Sequence, residues 1–171
     1  SGAGDSPVEV ALARGDQASK RGALDEALAA YEQAKKLAPK KAAPAIGVAR
    51  VKIAKLNLTE DYAAAKGNAA VTRLAADLRK ASAAEPAFGP GLVELGRVLL
   101  LLGDAEGALT AAKKGAEAMP TTAEAQSAWG LALVATGHVE ESIRPLALAA
   151  SLEPDSAARR SNLGTVLMMA S

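Results

Sequence analysis

The chain has 171 residues, 20 basic and 19 acidic, a net charge of +1 and no cysteine. With no long basic block and no basic–aromatic alternation, nucleic acid is excluded as an expected partner; without thiols there are no disulfides, no thiolate catalysis and no zinc–sulfur sites. Half the residues are hydrophobic but only 2% are aromatic, so aliphatic and small side chains must build the core, and alanine, the best helix former, suits close helix packing.

The opening "SGAGDSP", residues 1–7, reads as a flexible linker, and the lack of an initiating Met and of a signal peptide reads as a processed or excised segment. From Val8 a helical pattern carries Gly15, Ala18, Ala27, Tyr31 and Ala34 to a stop at Pro39. The next such stop, Pro86, is 47 residues on, 13 more than the 34 that separate Pro86 from Pro120 and Pro120 from Pro154. The surplus falls near "NLTEDYAAAKGN", Asn57 to Asn68. Thr59 is placed to cap a long helix running to about Ala84, with Glu60 and Asp61 at its positive end and Gly67-Asn68 as a break. The expectation is a helical hairpin that overhangs its neighbours, or an element that protrudes to touch a partner.

"GRVLLLLGD" follows, with four consecutive leucines, Leu99 to Leu102. Asp104 is positioned to cap the next helix and Pro120 to stop it. Thr121 and Glu124 make a capping-box pattern for the helix after that. His138 falls in a turn ahead of a further helix, in which Pro145 predicts a kink near Glu141. The chain closes on "ARRSNLGTVLMMAS", a helix with no successor to cover it. No apolar run reaches the roughly 20 residues a membrane span needs.

Gly96 recurs as Gly130 and Gly164, and Gly103 as Gly137, always 34 residues apart. A fixed period means stacked units, and each unit reads as two helices that cannot bury their apolar faces alone. With Leu92, Leu95-Gly96, Leu99, Ala108, Ala112, Gly115 and Pro120, then Trp129-Gly130, Leu133, Ser142, Leu146, Ala149 and Pro154, and finally Leu163-Gly164 and Leu167, the chain resembles the tetratricopeptide-repeat (TPR) family. The resemblance implies an all-α fold, an α-α superhelix or right-handed solenoid of helix-turn-helix repeats. The units run from about 8 to 41, 42 to 88 (enlarged), 89 to 122 and 123 to 156, with a terminal helix at 157–171.

The resemblance also implies that the first helix of each unit lines a concave groove. Along that face lie Arg50 and Ile53, then Val93, Arg97, Leu100 and Leu101, then Leu131 and Val134. Two arginines on adjacent repeats are suited to holding partner carboxylates bidentately over an aliphatic floor, although Arg97 also has Glu94 within reach on the preceding turn. Where chaperone-tail-binding relatives carry a Lys and Asn clamp, this chain has Leu12 and Asp16, so chaperone tails are not expected ligands. Tyr62, Met168 and Met169 are candidate interface residues.

One histidine and no cysteine leave little for catalysis, and no nucleophile elbow, phosphate-binding loop, dinucleotide motif or metal-ligand cluster is present in the sequence. The expectation is a protein without catalytic residues, metal or cofactor. It either binds a segment of a partner protein within a multi-protein assembly or associates with copies of itself through the terminal helix or the enlarged second unit. The alanine-rich composition suits a bacterial protein, and both the cytoplasm and the cell envelope remain open as compartments.

Overall fold

A computed structural model describes residues 4–171. Among these residues there are nine α-helices and no strand: α1 (Pro7–Lys20), α2 (Leu24–Leu37), α3 (Ala42–Leu56), α4 (Ala69–Ala84), α5 (Gly89–Leu102), α6 (Ala105–Ala118), α7 (Ala123–Ala135), α8 (Val139–Leu152) and α9 (Ala157–Ala170). Part of the expected linker is structural. Ser6 is the N-cap of α1 in a full capping box with Glu9, and Pro7 is its first residue, where a missing N–H costs nothing. Ser1, Gly2 and Ala3 of that expectation lie outside the described residues.

The helices pack as α1 with α2, α3 with α4, α5 with α6 and α7 with α8, each pair then leaning on the first helix of the next. First helices also pack on one another, α1 with α3, α3 with α5, α5 with α7 and α7 with α9, whereas the second helices α2 and α4 meet through the ends of long side chains, Lys35 with Asp77 at 3.2 Å. The first helices therefore form a continuous inner layer and the second helices an outer one, the arrangement of a stacked helical solenoid.

Small residues fix the spacing of the layers. A Cβ added to Gly96 would sit 3.0 Å from the Cβ and 3.1 Å from the backbone nitrogen of Ala112 on α6, so α5 and α6 cross where neither has room for another atom. The first pair solves the same problem differently. Tyr31 of α2 fills the space left by Gly15 of α1 and Gly47 of α3, and its hydroxyl donates to Asp16 Oδ1 at 2.5 Å. Burial, and then the Asp16 carboxylate, push the Tyr31 phenol above its ordinary pKa.

One local expectation is corrected. Glu124 does not join Thr121 in a capping box: the N-cap of α7 is Thr122, which makes no side-chain cap bond, and the Glu124 carboxylate points instead to two arginines. α8 runs from Val139 to Leu152 as one helix, with Pro145 fully buried inside it. Core packing holds this turn in place although Pro145 has no N–H to offer the Glu141 carbonyl. Asp104 does cap α6, its Oδ1 accepting from the Gly107 N–H at 3.0 Å.

The enlarged second unit departs furthest from expectation. Thr59 caps nothing: α4 begins at Ala69, capped by Asn68, whose Oδ1 accepts from the Val71 N–H at 3.1 Å. Asn57 ends α3 in the left-handed region, a conformation asparagine tolerates. Residues 58–67 then run as turns across the end of α5. The N–H groups of Ala63 and Ala65 donate to the Leu100 and Leu101 carbonyls at 2.9 and 2.8 Å, and Ala65 is buried. The insertion is thus neither an overhanging hairpin nor a protrusion; it closes orphan carbonyls that the last turn of a helix leaves open.

Gly96→Ala is expected to destabilise the protein by about 1–3 kcal/mol, the usual range for overpacking against backbone that cannot retreat. Gly164, the register equivalent on α9, has no atom within 4 Å of an added Cβ, so Gly164→Ala is expected to be neutral or stabilising by up to about 1 kcal/mol. Urea denaturation of the two variants checks the contrast.

Candidate functional site

The inner layer and the insertion enclose a groove of about 1060 Å³. Its floor is α5 and α7; α3 and the insertion form one side, and the first turns of α9 the other. Arg50, Ile53, Arg97, Leu100, Leu101, Leu131 and Val134 all line it. Val93 does not. It is 4% exposed, in a small cluster with Ala116 and Ala125, with its Cγ2 against Gly115. Its place on the helix turns it toward α6 and away from the groove. Tyr62 lies on the rim, half exposed, its hydroxyl donating to the Gly103 carbonyl at 2.7 Å. Met168 and Met169 are exposed on α9, outside the groove.

The four-leucine run now has an account. Leu99 is buried in the main core. Leu100 and Leu101 face the groove while their carbonyls hold the insertion, and half-buried Leu102 packs against the core from its edge. A helix covered by its own partner, by the neighbouring repeats and by an insertion has no free polar face left.

The arginines are already engaged inside the groove. Arg50 Nε donates to Glu94 Oε2 at 3.0 Å and its Nη2 to Glu124 Oε1. Arg97 Nη1 reaches the same two oxygens at 3.1 and 3.3 Å. Two cations and two anions alternate in a closed set that ties α3, α5 and α7 together. Glu94 is 2% exposed, and a carboxylate this deep requires such partners. Burial works against the charged Arg50, but Glu94 and then Glu124 outweigh it and raise its pKa above the ordinary arginine value. Burial likewise pushes the Glu124 carboxyl up, and Arg97 and Arg50 together overcome it, holding the group below its ordinary value.

Glu94 and Glu124 were missed as groove residues. For Glu94 a signal existed: it occupies the register of buried Ala128 in the next repeat, and a carboxylate on a buried stripe demands a cation. Glu124 carried no such signal, since its place in the first turn of a helix already had an ordinary explanation. Ser127 was also missed. It borders the groove, is 1% exposed, and its hydroxyl has no hydrogen-bond partner. His138 lies at the start of α8, 3.0 Å from Thr136 Oγ1, and contributes nothing to the groove lining. No group of three metal-ligating side chains occurs among the described residues, and no helix there is long and apolar enough to cross a membrane.

The layered inner and outer helices, the 34-residue register and the glycine crossings define the fold as that of the tetratricopeptide repeat. Solved structures bear this out. The thermophilic TPR protein TTC0263 of Thermus thermophilus is similar over 96% of this chain and 83% of its own, with a TM-score of 0.73 and 22% identity. MamA of Desulfovibrio magneticus RS-1 is similar over 96% of this chain and 86% of its own (TM-score 0.68, 19% identity). YrrB, described as a TPR protein with an unusual peptide-binding site, is similar over 93% of this chain and 75% of its own (TM-score 0.64, 22% identity). No protein-family model and no curated protein sequence matches the chain.

Two outcomes are expected of the charge network. Glu94→Gln lowers stability by about 2 kcal/mol, as for other lost charge-assisted hydrogen bonds, which denaturant titration measures. Glu124 has a depressed pKa in the folded state, so its contribution is present above the ordinary glutamate value of 4.5 and is lost as the pH falls through the folded value below it. The stability difference between wild type and Glu124→Gln is therefore expected to be largest near neutrality and to shrink below pH 4.5, as read from thermal unfolding across pH.

Proposed function

We propose that the protein is a non-catalytic interaction module that holds a segment of a partner protein in the groove between α3, α5 and α7, within a larger protein assembly. The observation that carries this reading is the groove itself: aliphatic side chains from Ile53, Leu100, Leu101, Leu131 and Val134 line an open trough bordered by polar groups, the composition of a recognition site rather than of a solvated face. Such a trough takes its affinity from apolar burial and its register from the surrounding polar atoms. The peptide-binding description of YrrB agrees with it by likeness of fold alone.

Self-association is the second reading, and a separate surface favours it. Leu167, Met168 and Met169 of α9 are 48%, 78% and 54% exposed, an apolar surface suited to contact with another protein surface. The enlarged second unit supports it less, because its amides are spent on α5.

Leu131→Arg places a charge on the groove floor at a half-buried position. It is expected to remove a partner captured from native lysate by the wild-type protein, with circular dichroism unchanged. Retention of that partner by the variant would count against groove binding. Light scattering after size exclusion separates the second reading: dimers that form with rising concentration and vanish in Met168→Lys, Met169→Lys would favour α9 as the contact.

A further inference from the structure

Which partner the groove prefers is set by the charges left over once internal pairs are made. Arg50 and Arg97 are paired with Glu94 and Glu124. Arg159, on the far side, is paired with Glu153 at 3.3 Å. A carboxylate brought to this floor would meet two carboxylates already holding the arginines. The nearby cations of α3 face the other way: Lys52 pairs with Glu32 and Lys55 with Asp25, both on α2. Lys66, the insertion's own cation, lies beside Gly103 and outside the groove lining.

Glu60 and Asp61 remain. Both are exposed, both line the groove, and among the described residues neither takes part in an ion pair or a side-chain hydrogen bond. They stand on the insertion, which crosses the C-terminal end of α5. Leu58, Ile53 and Leu101 lie beside them as apolar lining. Elsewhere on the groove wall, the Ser127 hydroxyl is buried without a hydrogen-bond partner.

We propose that the groove selects a mainly apolar segment carrying a lysine or arginine, with the cation seated against Glu60 and Asp61. This rests on the groove reading above and adds the chemistry of the occupant. The charge pair sits at an open rim, so its contribution is modest and salt-sensitive; a loss of about three- to tenfold in affinity is the expected effect of removing it.

A random-peptide phage library selected on the intact protein tests it, with a Glu60→Gln, Asp61→Asn double variant and Leu131→Arg run in parallel and helicity checked for each. The expected result is enrichment of aliphatic sequences containing Lys or Arg. The basic preference disappears with the rim double variant, and enrichment disappears altogether with Leu131→Arg. Apolar sequences enriched without a basic preference, or with an acidic one, and still lost in Leu131→Arg, would overturn this proposal while leaving the groove reading intact. Enrichment that survives Leu131→Arg, or none at all, would overturn both.

Discussion

Everything in this chain follows from how closely its helices must cross. With almost no aromatic side chains to fill space, the two layers can exclude water only by coming together at glycine and alanine. Gly96 against Ala112 is the clearest case, and Ala27 and Ala108 are fully buried on the outer helices for the same reason. Close crossing keeps the first helices in one layer, and that layer is what a groove can form upon. Tyr31, seated between Gly15 and Gly47, shows the cost of an exception: one large ring requires a glycine on each side.

Once the inner helices lie side by side, their polar residues must be accommodated between them. Glu94 is the clearest instance. It sits in a buried stripe, and its charge is tolerable only because Arg50 from the preceding repeat and Arg97 from the next turn converge on it. Glu124 closes the set from the repeat that follows. The network thus links three repeats across the concave face and at the same time neutralises that face, so that the groove's unpaired charge comes from the insertion and not from the arginines.

The repeat was legible because it is periodic: glycine, alanine and proline at 34-residue spacing have physical jobs that do not depend on the rest of the chain. The groove lining was legible for the same reason, since helical phase assigns Ile53, Leu100, Leu101, Leu131 and Val134 to one side. Val93 fails where phase is least informative, at the border between two faces. Partnering was not legible, because Arg50 and Glu124 are far apart in sequence and meet only through the stacking of three helices. The insertion was misread because Thr59 and Asn68 are both good caps. What decided between them was tertiary: the amides of Ala63 and Ala65 find the carbonyls of α5, which no local pattern encodes.

The central claim is that the inner face is the working surface. A photoreactive amino acid at position 131, on the groove floor, compared with one at position 114, on the exposed face of α6, tests it most directly in the native source. The account predicts a crosslinked partner protein from position 131 and none from position 114. A partner crosslinked at 114 and absent at 131 would contradict it.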